Sequence, residues 1–70
     1  MKSEVKTICL YVWQETVGEE TVWSAQIPEV RLSASAGSRS DAITRARESL
    51  AFEFPGQAHH LDIHDCLAPA

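Results

Sequence analysis

The sequence predicts a small α+β fold, in which an antiparallel three-stranded meander precedes a single helix and a fourth strand, in the order β-β-β-α-β. One segment carries apolar residues at helical spacing, the residues before it have strand-like composition, and a short alternating segment follows it. A single amphipathic helix cannot bury its own apolar stripe, so we expect the helix to pack on one face of a sheet.

The helix is predicted from about Arg39 to Phe54. Ser38 can accept a hydrogen bond from the first turn, and Asp41 places a carboxylate at the positive end of the helix dipole. Pro55 and the glycine after it end the helix, because proline cannot continue one. The stripe that should face the sheet consists of Ile43, Ala46, Leu50 and Phe54.

The first two strands are predicted at Val5–Trp13 and Thr21–Ile27, joined by a polar turn over 14–20 centred near Gly18. Both alternating sets of the first strand contain apolar residues, which indicates an inner strand. The second strand should pair antiparallel with the first.

A turn symmetric about Gly18 would place Trp13 opposite Trp23 and Tyr11 opposite Ala25. This register would put three aromatic rings on one face of the sheet. A slip of one residue would undo the arrangement, because successive side chains of a strand point to opposite faces.

The third strand is predicted after Pro28 and Glu29, with Val30, Leu32, Ala34 and Ala36 on one face and polar residues on the other. This pattern is typical of an edge strand with one face exposed to solvent. The fourth strand is predicted at His60–Cys66, and the right-handed crossover rule places it parallel to the first.

Length and charge limit the function classes. Seventy residues allow one domain, 1–70, and a domain this small buries a modest core, so self-association would help it. Six Lys and Arg stand against ten Asp and Glu, a net charge of −4, which argues against phosphate-driven nucleic-acid binding and favours a basic protein partner.

The expected location is the cytoplasm, because no apolar run approaches a membrane span and no signal-peptide core is present. Cys9 and Cys66 lack a CxxC spacing and are expected to be reduced thiols.

Two sequence stretches resemble the HicB-like antitoxin domains. The first is Trp23–Val30, which corresponds to a second strand with Trp followed by Pro-Asp/Glu-Leu. The second comprises Gly37, Ser38, Asp41, Ala42, Ile43, Ala46 and Leu50, which correspond to Gly-Asp-Thr and a helix. Arg31 and Leu32 stand where the family usually has Pro-Gly, and the junction to the helix is one residue shorter.

The resemblance implies a truncated ribonuclease H-like fold without catalytic residues. It implies a non-catalytic module that neutralises a small, basic RNA-cleaving toxin by covering its active site. The alternative is a stand-alone inhibitor or regulator, of phage or mobile-element type, of another protein target. No separate DNA-binding domain is expected within 1–70, although many relatives carry one.

The residues predicted to bind a partner are Tyr11, Trp13, Trp23 and Phe52. One helix covers one sheet face only, so aromatic rings on the other face would be available to a partner. Phe52 lies opposite the apolar stripe on a helical wheel. These features also predict a homo-oligomer.

A metal site at His60, Asp62 and His64 is a less favoured hypothesis. Their spacing puts all three on one face of a strand, where they could chelate zinc, but no further His or Glu is predicted nearby. A solvent-facing polar strand is favoured, and no cofactor is expected.

Catalysis is not expected either. A ribonuclease H site needs several carboxylates around two metal ions, whereas the predicted sheet segments before the helix supply Glu4 and Glu29. The arginines Arg39, Arg45 and Arg47 are expected to pair with acidic residues of their own helix, Asp41 and Glu48.

Overall fold

The computed structural model describes residues 5–66, which form one mixed sheet with a helix packed on it. The elements in chain order are β1 (Val5–Val17), β2 (Glu20–Ile27), a 3₁₀ helix (Pro28–Val30), β3 (Leu32–Ala36), α1 (Arg39–Glu53) and β4 (Ala58–Asp65). The strand order is β3-β2-β1-β4, with β1 antiparallel to β2 and parallel to β4. The predicted β-β-β-α-β architecture, the inner first strand and the parallel fourth strand are confirmed.

The hairpin between β1 and β2 is tighter than predicted. Val17 pairs with Glu20, so the connection contains two residues, and Gly18 has a φ of 64°. Glycine with positive φ at the first of two central residues fits a type II′ turn, whose twist suits adjacent strands. The predicted turn over 14–20 was too long, because polar residues on an exposed hairpin extension resemble a loop in composition.

The predicted hairpin register is wrong by one residue. Trp13 pairs with Ser24, and Trp23 pairs with Gln14. The turn is symmetric about the Gly18–Glu19 bond rather than about Gly18 itself. Because the side-chain period of a strand is two, this slip puts the two tryptophans on opposite faces of the sheet.

The core lies between α1 and one face of the sheet, which we call the covered face. Alternation along β1 and β2 brings one set of apolar side chains to this face, where the helix stripe removes them from water. The buried side chains are Ile8, Leu10, Val12, Ala25, Ile27, Ala42, Ile43, Ala46 and Leu50. Phe54 packs against this core while partly exposed.

Both ends of α1 follow the predicted signals. Ser38 is the N-cap, and its Oγ accepts a hydrogen bond from the backbone N–H of Asp41 at 3.2 Å. Phe54 is the C-cap, one residue before Pro55, and its N–H donates to the carbonyl oxygen of Leu50. The chain reverses at Gly56, which has a φ of 84°.

The third strand starts later than predicted. Pro28 opens a 3₁₀ turn that includes Val30, and Arg31 then adopts a left-handed backbone with a φ of 57°. β3 therefore begins at Leu32 and occupies one edge of the sheet, as its single apolar face predicted.

β4 forms the other edge and begins earlier than predicted, at Ala58, which pairs with Val5. Arg39, in the first turn of α1, holds the carboxylate of Asp65 at the end of β4 through two hydrogen bonds of 2.6 and 2.8 Å. This contact lowers the pKa of Asp65 and raises the pKa of Arg39. Arg45 donates to the carbonyl oxygen of Ser35. The expected pairing of Arg39 with acids of its own helix is therefore wrong.

Among residues 5–66, no helix has the length and apolar character needed to cross a bilayer.

Candidate partner-binding face and its polar cluster

The face of the sheet opposite α1, called the open face below, is the candidate site. Strand alternation and pairing assign to it every second side chain of each strand. Its central members are Thr7, Cys9, Tyr11, Trp13, Glu15, Glu20, Val22, Ser24, Gln26, Ser33, Ser35, His60, Asp62 and His64. None of these side chains is fully buried, whereas every buried core side chain of β1 and β2 lies on the covered face.

Two of the four predicted partner-binding residues lie together on the open face. Tyr11 and Trp13 are half-buried neighbours along β1. The indole Nε1–H of Trp13 donates to a carboxylate oxygen of Glu15, which holds the ring in place. The ring of Tyr11 stacks on His64 of β4, with centroids 5.1 Å apart and planes 22° apart.

The other two predicted residues lie elsewhere. Trp23 is on the covered face, where it packs against the core while partly exposed. Phe52 is 83% exposed, on the side of α1 that faces away from the sheet. The structure therefore does not bring the four predicted residues into one surface.

A depression lies beside Trp13 on the open face. Its volume is about 360 Å³, and Trp13 stands next to small polar side chains of β2 and β3. The polar residues lining it are Ser24, Gln26, Ser33 and Ser35. An aromatic ring beside hydroxyl groups can bind a cationic side chain. The cation would contact the ring face and donate hydrogen bonds to the hydroxyls.

Charge is distributed unequally between the two sides of the molecule. The open face carries the carboxylates of Glu15, Glu20 and Asp62, and among residues 5–66 its strand side chains include neither Lys nor Arg. Three of the arginines, at 39, 45 and 47, lie on α1, behind the covered face. Lys6 pairs with Glu29 at 2.8 Å. The open face is therefore an acidic surface with aromatic side chains.

A polar cluster forms where β1 and β4 run side by side. Cys9 pairs with Asp62, and His64 lies two residues further along β4. The thiol of Cys9, a carboxylate oxygen of Asp62 and an imidazole nitrogen of His64 all lie within 4.8 Å of one another. His64 Nε2 is 3.1 Å from Asp62 Oδ2.

This cluster differs from the predicted metal candidates. Asp62 and His64 come together as expected, but His60 is outside the group and Cys9 takes part instead. Cys9 was not among the predicted ligands, because it lies more than fifty residues from Asp62 and His64 in the sequence. The predicted parallel pairing of β4 with β1 could have indicated Cys9 as a ligand, but only if the register of that pairing had also been known.

The expectation about carboxylates in the strands needs correction. β1 and β2 extend further than predicted and include Glu15 and Glu20, and Glu4 lies outside the described residues. Within residues 5–66, Cys9, Asp62 and His64 form the only group of three or more potential metal ligands. Cys9 and Cys66 are both free thiols.

Comparisons of the chain with protein-family models, with curated proteins and with solved structures find no match.

Proposed function

We propose that this protein is a non-catalytic protein-binding module that covers the active site of a small, basic RNA-cleaving toxin, in the manner of a HicB-type antitoxin. The observation that carries the proposal is the open face, which combines aromatic side chains with carboxylates and, in the part of the chain that the structure describes, has no Lys or Arg on its strands. The proposed setting is the cytoplasm, where both thiols would stay reduced.

The aromatic side chains supply the contact energy in this proposal. Interface hot spots are enriched in Trp and Tyr that become fully desolvated on binding. Trp13 and Tyr11 are already half-buried and held by Glu15 and His64, so little side-chain freedom remains to be lost when a partner docks.

In this proposal, the negative charge of the open face determines which proteins bind to it. An acidic face steers a basic protein towards it and disfavours an acidic one. A Lys or Arg side chain of the partner could lie in the depression beside Trp13, against the ring and the serine hydroxyls of β2 and β3. A nucleic acid, in contrast, would meet carboxylates where it requires cations.

The test uses the reading frames next to the gene that encodes this chain. A short, basic protein encoded by an adjacent reading frame would be co-expressed with the chain. We would then measure complex formation and RNA cleavage by that protein. We expect a stoichiometric complex in which cleavage is suppressed. A complex with a protein that cleaves no RNA would instead support the alternative inhibitor or regulator function.

Two variants test the surface. Trp13→Ala should weaken the complex by at least about 2 kcal/mol, the usual threshold for a hot spot. Phe52→Ala is the control, because it removes an exposed aromatic ring from the opposite side of the molecule and should leave binding unchanged. Loss of binding in the control with full binding by Trp13→Ala would refute the open face as the docking surface.

A further inference from the structure

We infer that Cys9, Asp62 and His64 form a binding site for a single Zn²⁺ ion, with three protein ligands and a fourth position open to water. The inference goes beyond the proposed function and does not depend on it. It rests on the three donor atoms that the parallel pairing of β1 and β4 brings within 4.8 Å of one another.

The donor types suit zinc. A thiolate, an imidazole nitrogen and a carboxylate oxygen are all established zinc ligands, with metal–ligand distances of about 2.0 to 2.3 Å. Any two donors bound to one tetrahedral ion at these distances lie roughly 3 to 4 Å apart. The donor atoms of the cluster lie within 4.8 Å of one another, and those of Asp62 and His64 are 3.1 Å apart. Calcium and magnesium are disfavoured, because they take oxygen ligands.

The backbone holds two of the ligands in place. Cys9 lies on the inner strand of the sheet, and Asp62 is its direct partner on β4. Ligands on neighbouring strands of a sheet keep their separation better than ligands on a loop. The site therefore joins two strands of the sheet, with Cys9 on β1 and both Asp62 and His64 on β4.

The third ligand is oriented by its neighbours. Tyr11 stacks on the imidazole of His64, and Nε2 of that ring already points at Asp62 from 3.1 Å. A zinc ion bound to both groups would take the place of the hydrogen bond that joins them. Asp62 and His64 have side chains that are 54% and 44% exposed, so an ion can enter from solvent.

The chain contains a matched control for two of the ligands. Cys66 is an exposed thiol on the segment that follows β4 and belongs to no group of potential ligands within residues 5–66. His60 lies on the same face and strand as His64 but outside the cluster. Cys66→Ser and His60→Ala should therefore leave the site intact.

The experiment is a titration of the reduced, metal-free full chain with Co²⁺, followed by displacement with Zn²⁺. A thiolate bound to Co²⁺ produces a charge-transfer band, which reports the Cys9 ligand directly. We expect one equivalent of Co²⁺ to develop the band and one equivalent of Zn²⁺ to remove it. Cys9→Ser should abolish the band, and Asp62→Asn or His64→Ala should weaken binding at least tenfold.

Folding of each variant is checked by circular dichroism, and the exposed position of Asp62 makes Asp62→Asn a safe second variant should Cys9→Ser fail to fold. The inference is overturned if no band forms at millimolar Co²⁺. It is equally overturned if Cys66→Ser loses the band while Cys9→Ser retains it, or if Asp62→Asn and His64→Ala bind as tightly as the parent protein.

Discussion

Leu50→Ala tests how the fold is held together. Leu50 is 2% exposed and lies in the core between α1 and the covered face. Its truncation removes about three carbon atoms from an apolar environment, a transfer loss of roughly 2 to 3 kcal/mol. A residual cavity of roughly 50 Å³ would add about 1 kcal/mol. The expected loss in the free energy of unfolding is therefore about 3 to 4 kcal/mol, within the range of about 2 to 5 kcal/mol measured for such substitutions.

This loss is large for a domain of 70 residues, because a core of this size supplies only about 3 to 5 kcal/mol of net stability. We expect Leu50→Ala to retain at most about 2 kcal/mol of net stability at room temperature, and its urea transition to move to a much lower midpoint. Urea denaturation followed by far-ultraviolet circular dichroism measures the change, and tryptophan fluorescence provides a second probe.

The control is Phe52→Ala on the same helix. Phe52 is 83% exposed, so its truncation should change the free energy of unfolding by less than about 0.5 kcal/mol. The volume-conserving variant Leu50→Met should cost less than about 1.5 kcal/mol. If Leu50→Ala loses less than about 1 kcal/mol, or if Phe52→Ala is the more damaging change, the packing described above is wrong.

Four further predictions concern the helix cap, the ion pair between Arg39 and Asp65, self-association and nucleic-acid binding. Ser38→Ala should destabilise the domain by about 1 kcal/mol in urea denaturation, because it removes the N-cap acceptor. Asp65 has a lowered pKa when folded, so its stabilising contribution is complete above the ordinary aspartate pKa of about 4 and is lost as pH falls through the lowered value. In the metal-free protein, Arg39→Ala should bring that pKa back up in an NMR titration, and an unchanged pKa would exclude the ion pair in solution. Sedimentation equilibrium should show at least a dimer at micromolar concentration, and a monomer at high concentration would contradict the predicted homo-oligomer. A mobility-shift assay at physiological salt should show no sub-micromolar nucleic-acid complex, since cations are few and the open face is acidic.

Helix and strand order could be predicted from sequence because their signals are local. The stripe at Ile43, Ala46 and Leu50, the cap at Ser38 and the stop at Pro55 each depend on a few neighbouring residues, and all three agree with the structure. The parallel fourth strand was also predictable, because a crossover helix imposes its direction.

The faces of the sheet were decided by tertiary structure. The placement of Trp13 and Trp23 depends on whether the turn is centred on Gly18 or one half-residue beyond it, and composition does not distinguish the two. One step of register moves every side chain of a strand to the other face. The predicted register therefore placed the two tryptophans on one face, whereas the observed register places them on opposite faces.

The polar cluster shows the same division between local and long-range information. The sequence by itself determined that Asp62 and His64 share one face of a strand, because a period of two is a local property. Only the pairing of β4 with β1 decided that Cys9, more than fifty residues away in the chain, lies beside them. Arg39 and Asp65 meet for the same reason. Contacts between distant residues depend on the register between elements, which is set by how the whole core packs and not by any single segment.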